Sequence, residues 1–169
     1  MKVIHIFDID GCILPSVFFN IQYNDILKEE IIKEVINRSR NVVLFPEFIN
    51  YYSQNCVNGS MNIFLTGRKE RAFNQLTQTQ LFPLKIISPF KIIYYPEEKS
   101  YLSKEYFNWK TKEIQNLFIE NKSYNNDNQV EYIIYDDMIE HFNSIKKLAK
   151  SLNINISLKP IKTSNDWIL

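Results

Sequence analysis

Residues 2–14, KVIHIFDIDGCIL, decide how this chain is read. The run 3–7 is apolar and rich in β-branched residues. It stops at Asp8 and Asp10, followed by Gly11, one of three glycines in the chain. That is the pattern of a buried strand feeding a charged turn. Side chains alternate along an extended chain, so the carboxylates of Asp8 and Asp10 are expected to lie side by side. Two anions that close repel, and each raises the other's pKa unless a cation intervenes. A hard, oxygen-seeking ion answers that need. Magnesium fits it, because it takes few protein carboxylates and shares its shell with water and a substrate phosphate. A calcium-binding EF-hand also opens on acid-x-acid. Counting from Asp8, however, puts Cys12, Ile13 and Phe19 where a third oxygen ligand, the turn glycine and the bidentate glutamate belong, so that reading fails. A plain turn in which Asp and Gly serve only turn chemistry stays open on this stretch alone.

With 169 residues, 45% of them hydrophobic and 14% aromatic, the chain suits one globular domain with a real core. A formal net charge of +1 gives no global attraction toward nucleic acid or an acidic partner. Cys12 and Cys56 lack the spacing of a zinc or redox pair, and nothing ahead of the first strand reads as a signal peptide. A reducing, cytoplasmic location is the expectation. No apolar run approaches the roughly 20 residues that cross a bilayer, so no membrane association is expected.

Outward from the first loop, residues 15–44 form a short insert, with an amphipathic helix expected over 23–38. Pro46 starts a second helix through Asn55, and Asn58-Gly59 marks a turn. The second apolar run, 61–65, ends in Thr66-Gly67-Arg68. A helix over 69–80 and a third strand over 84–88, closed by Pro89, are expected next. The aromatic stretch 90–102 reads as a loop or an edge hairpin, its rings packing or stacking on bases. Ser103 can cap a helix carrying Lys110 and Lys112, and 121–129 is a polar surface loop. A fourth strand over 130–135 ends in Asp136-Asp137, followed by a helix over 139–152 and a fifth strand over 154–158.

Strands alternating with helices predict an α/β domain whose mainly parallel sheet is covered on both faces. Ligand sites in such sheets lie off the carboxyl ends of the strands. Asp8, Asp10, Thr66, Asp136 and Asp137 all fall at such ends. Together with a lysine they are the equipment of phosphoryl transfer: a nucleophile, an acid/base, and charges around the transferred oxygens. Asp8 would attack phosphorus, and Asp10 would protonate the leaving oxygen and later activate water. Thr66 and the amides around Gly67 would hold phosphate oxygens, with Lys110 or Lys112 balancing charge. Arg68 either orients the phosphate or faces solvent. One of Asp136 and Asp137 can cap the following helix while the other binds metal. His141 and His5 read as structural partners.

The ordered series Asp8-x-Asp10-x-Cys12, Thr66-Gly67-Arg68, Lys110 and Asp136-Asp137 resembles the four motifs of the haloacid dehalogenase-like phosphohydrolases, over residues 2–158. The resemblance implies a single Rossmann-like three-layer domain over 1–169 with strand order 5-4-1-2-3 and little or no cap. It implies Asp8 as nucleophile, Asp10 as acid/base, and Mg2+ held by Asp8, the backbone carbonyl of Asp10, and Asp136 or Asp137. In finer detail, Thr-Gly-Arg, Trp109-Lys110, and Asp-Asp followed by His141 and Phe142 are similar to the Swiss Army Knife RNA repair-like subgroup and to the 3′-phosphatase domain of polynucleotide end-repair enzymes. Cys12 replaces the usual Thr or Val, and Met138 stands where the subgroup tends to carry Arg. The expectation is a Mg2+-dependent phosphomonoesterase whose open site suits a large substrate such as a nucleic-acid end. The alternatives are a phosphatase of small metabolites or nucleotides and a silent phosphate- or partner-binding module. Residues 23–38 could serve as a minimal lid.

Overall fold

The computed structural model describes residues 2–18, 28–57, 59–101, 103–121 and 130–168. Five strands, β1 (Lys2–Phe7), β2 (Met61–Lys69), β3 (Lys91–Tyr95), β4 (Val130–Asp136) and β5 (Asn155–Pro160), form one sheet in the order β3-β2-β1-β4-β5. Every pairing is parallel, and the order is the expected 5-4-1-2-3 read from the other edge. Among the described residues the helices are α1 (Glu29–Ser39), α2 (Pro46–Asn55), α3 (Glu70–Ile87), α4 (Ser103–Glu120) and α5 (Phe142–Ser151), with a 3-10 turn at Ser164–Trp167. The layers make a Rossmann-like α/β sandwich, and no helix among the described residues is long and apolar enough to cross a membrane.

Alternation along β1 sends its side chains to opposite faces of the sheet. Phe7 joins Phe64 and Tyr135 beneath α1, α2 and α3, while Ile4 and Ile6 join Ile63, Leu65, Tyr132 and Ile134 beneath α4 and α5. The first face is aromatic. The Phe7 ring lies 4.7 Å from Tyr135, 5.3 Å from Phe48 and 5.4 Å from Phe64. Trp167 closes this cluster from the 3-10 turn, and its Nε1 donates to the Cys12 carbonyl at 3.0 Å. The loop after β1 is thereby held from below by the far end of the described chain. His5, buried on this face, bonds the Tyr135 hydroxyl through Nδ1 at 3.2 Å, and burial lowers its pKa. The Tyr135 hydroxyl in turn bonds that of Tyr51.

Two expected elements differ. The strand expected over 84–88 is the last part of α3, and the third strand is instead 91–95, within the stretch expected to be a loop or hairpin. α3 runs on through Pro83. Pro83 and Thr79, whose carbonyl would otherwise accept from residue 83, both lie on the exposed face of α3, open to solvent. Leu81 and Leu84 meanwhile extend the buried stripe begun by Phe73, Leu76 and Thr77 at helical spacing. The run KIIYY is β-branched and aromatic, and it pairs with β2 as an edge strand. Of the expected insert helix, 29–38 lies in α1, while 23–27 fall outside the described residues. So do Asn58 of the expected turn, 122–129 of the polar loop and the side chain of Ser103.

Replacing Phe7 by Ala should cost about 3–5 kcal/mol, as for large aromatic truncations in packed cores, measured as a shift in the urea midpoint at unchanged slope.

Candidate functional site

The site is assembled where β1, β2 and β4 end, with α4 reaching in from the side. Lys110, fully within α4 and only 1% exposed, sends its ammonium between two strand ends. Nζ lies 2.8 Å from Asp8 Oδ1 and 2.6 Å from Asp136 Oδ2. Lys112 is exposed, so Lys110 is the lysine of the cluster. Asp137 completes the group: Asp8, Asp136 and Asp137 each offer an oxygen within 4.8 Å of the others, the spread of ligands around one cation. Asp136 is also held by the Met138 amide, 2.9 Å from Oδ1, and His141 Nε2 lies 3.3 Å from its Oδ2.

Three carboxylates face one ammonium here, and their pKa shifts follow. Burial pushes Asp8 well up, Lys110 opposes it, and Asp136 and Asp137 push it further. Burial alone would raise Asp136 too, but Lys110 and His141 outweigh it and the net direction is down. Burial would lower Lys110, yet Asp136 and Asp8 reverse this and hold it firmly charged. Burial and the neighbouring Asp136 raise Asp137 to about 6, and its Oδ1 is buried with no hydrogen-bond partner. An orphaned buried oxygen among crowded carboxylates, in a set of oxygen donors only, fits a hard divalent cation such as Mg2+. Gly11 makes room for the Asp137 carboxylate. With φ at +82°, Gly11 occupies backbone that favours glycine, and a Cβ there would fall 2.6 Å from Asp137 Oδ2.

Asp10 is not part of this group. β1 ends at Phe7, and residues 11–13 form a turn closed by a bridge between Asp10 and Leu14, so the strand alternation expected to align the two carboxylates does not extend through the loop. Asp8 faces Lys110, whereas Asp10 faces Arg68, whose Nε and Nη2 donate to Oδ2 at 2.8 Å and Oδ1 at 2.9 Å. The Asp10 side chain is therefore committed to an ion pair in place of a metal. Arg68 also departs from expectation. It is fully buried, and its Nη1 donates to Thr77 at 3.0 Å and Gln80 at 2.7 Å, so it neither faces solvent nor offers its fork to a phosphate.

The expected Thr66-Gly67-Arg68 turn lies within β2. The pairing of β2 with β3 slips between Thr66 and Lys69, and the two extra residues form a bulge. Thr66 is buried, and its Oγ1 accepts the Arg68 amide at 3.2 Å. Gly67 lies beneath Tyr106, whose ring atoms would come within 3.0–3.2 Å of a Cβ at that position. Tyr106 is the neighbour that the sequence reading missed. Lys110 Nζ lies 5.1 Å from its ring centre, and burial raises the phenol well above its usual pKa, so it stays protonated. Its position one turn before Lys110 was the available signal. The aromatic residues of 90–102 pack: Tyr95 meets Tyr101, Tyr106 and Trp109 in the core under α4. No protein-family model matches the chain, and no curated protein matches it.

With its pKa raised from the ordinary 3.8 to about 6, the folded protein binds the Asp137 proton more tightly than the unfolded chain does. In the absence of divalent cation, this costs stability progressively as pH rises from about 4 to about 6. Asp137→Asn should therefore match wild type below pH 4 and exceed it increasingly through pH 6, as read from thermal melts across that range. Added Mg2+ should stabilise the wild type alone.

Proposed function

We propose that the protein is a phosphomonoester hydrolase working through an aspartyl-phosphate on Asp8, of the haloacid dehalogenase-like kind that its motif series resembles. The observation that carries the reading is Lys110 bridging Asp8 and Asp136, with Asp137 beside them: three distant segments converge on a spot the size of one cation. Asp8, Asp136 and Asp137 would hold Mg2+, joined by the backbone carbonyl of Asp10 as in the family. When bound, the ion neutralises charge on the phosphoryl oxygens.

The chain's own residues supply the rest. Lys110 orients Asp8, opposes the burial that raises its pKa, and adds positive charge beside the transferring group. Asp8 attacks phosphorus and the bond to the leaving oxygen breaks, with Asp10 giving that oxygen its proton. Asp10 then takes a proton from water as the water attacks phosphorus, releasing inorganic phosphate and restoring Asp8. By the resemblance, Thr66 and the Gly67 amide would hold phosphate oxygens, the Arg68 amide being engaged by Thr66 Oγ1.

The substrate proposed is a large phosphomonoester such as a nucleic-acid end. Among the described residues only α3 separates β2 from β3 and only α4 separates β3 from β4, so no large second cap covers the site. Phosphorylated metabolites or nucleotides are the alternative that a substrate panel separates. One observation favours a silent phosphate-binding module: the bidentate engagement of Asp10 by Arg68. Tight binding of a phosphate mimic with no turnover on any phosphate would select that reading.

Asp8→Asn should abolish Mg2+-dependent hydrolysis of an aryl phosphate, a loss of at least about 10³-fold given the scale of nucleophile removal. Its melting temperature should equal or exceed that of wild type, because one of three crowded buried carboxylates becomes neutral. Turnover near the wild-type rate in that variant would overturn the mechanism.

A further inference from the structure

We propose that Arg68 is the positioning residue for Asp10, fixing the acid/base carboxylate from behind through a buried relay that ends at the insert. The assignment rests on the phosphohydrolase reading above. A carboxylate on a loop beyond a strand end has free side-chain torsions, and general acid/base work needs it within hydrogen-bond reach of the reacting oxygen. A guanidinium fork removes that freedom, since two parallel bonds set the plane of the carboxylate as well as its place.

Arg68 is itself fixed at both ends. Its amide is tied to Thr66 Oγ1 within the β2 bulge, and its Nη1 is anchored by Thr77 and Gln80 on the buried face of α3. Gln80 passes the restraint on, its Nε2 donating to the Val42 carbonyl at 3.1 Å and the Ser39 carbonyl at 3.5 Å, where α1 ends. A second route joins the same parts: Arg38 of α1 donates to the Val17 carbonyl at 2.9 Å, and the Val17 amide donates to Asp10 Oδ1 at 3.2 Å. The described part of the insert is thus a brace for Asp10.

The bonds also distinguish the two oxygens. Among the described residues, Oδ1 accepts Arg68 Nη2 and the Val17 amide, whereas Oδ2 accepts Arg68 Nε alone. A carboxylate oxygen has two lone-pair directions, so Oδ2 keeps one for the proton it exchanges. In the first step the Asp8 oxygen bonds phosphorus, the ester P–O bond breaks, and the Oδ2 proton goes to the departing alkoxide. In the second step Oδ2 takes a proton from the attacking water, the Asp8–phosphorus bond breaks, and Asp8, protonated Asp10 and inorganic phosphate result.

The test compares an alkyl phosphate, whose leaving group needs that proton, with a nitrophenyl phosphate, whose leaving group does not. Arg68→Gln and Arg68→Lys should each lower kcat on the alkyl ester by about 10²-fold, the scale of general acid catalysis. The loss on the aryl ester should be much smaller, with KM little changed. Asp10→Asn should give the same split, and Arg68→Gln combined with Asp10→Asn should be no slower than Asp10→Asn alone. Equal losses on the two esters, or multiplying losses in the double variant, would overturn the assignment. If the Arg68 variants fail to fold, Thr77→Val and Gln80→Met keep Arg68 and loosen only its anchor; they should show the same split on a smaller scale, and an unchanged ester ratio would overturn the assignment. Wild type inert toward both esters would overturn the phosphohydrolase reading and this assignment with it, whereas active wild type with an unchanged ratio removes only the role of Arg68.

Discussion

The buried ammonium of Lys110 is the constraint on which the rest of the site depends. An ion that far from water is tolerated only where its lost hydration is replaced by opposite charge and hydrogen bonds at close range. Asp8 and Asp136 supply both, and each needs Lys110 in return. The strands carrying these acids are direct neighbours: β1 pairs with β4 in register, Phe7 opposite Tyr135, so the residues that follow emerge together. The Asp8 amide also donates to the Tyr135 carbonyl at 2.9 Å, extending the pairing one residue into the loop. Neighbouring parallel strands bring the acids together, and α4 brings the cation that lets them stay.

Two residues apart, Asp8 and Asp10 carry opposite assignments. Asp8 sits in a cluster with excess negative charge, so a cation entering it relieves repulsion. Asp10 meets a guanidinium whose bonds match its own geometry and lies in a charge-balanced pair. The turn at 11–13 makes this possible, and Gly11 makes the turn possible, because a side chain there would occupy the space of Asp137. One short loop thereby separates a group suited to metal from a group suited to handling protons. If both carboxylates pointed into one cluster, as strand alternation implies, Lys110 would face four acids, and Arg68 would lose its counter-ion.

Much of this was legible because it depended on local pattern. The apolar runs ending in Asp8, Thr66 and Asp136 announced strand ends, and a parallel sheet places such ends on one edge. Lys110 was more legible than the sequence reading allowed. Two residues along a helix are about 200° apart, and Lys110 shares the buried stripe of Ile114, Leu117 and Phe118 while Lys112 faces away. The strand at 91–95 was misplaced because a short apolar run beside a proline has no period of its own, and burial of Leu81 and Leu84 decided for helix. The Arg68–Asp10 pair lay beyond reach, joining residues 58 apart in sequence. Its one trace was chemical: Thr77 and Gln80 are polar residues on the apolar stripe of α3, and buried polar side chains need partners.

That trace changes what the insert does. A lid over a phosphate site would present side chains to the substrate and move away from the domain. The described part of α1 instead packs against α3, buries Val35 and Ser39, and turns the Glu29–Lys33 pair to solvent. Its C-terminal end is joined by hydrogen bonds to Gln80 and Val17, each one step from Asp10 or from the arginine that holds it. A segment so tied cannot swing without disturbing Asp10. On the other side of the site a half-buried ring, Tyr106, covers the glycine of the bulge and meets the same lysine that bridges Asp8 and Asp136.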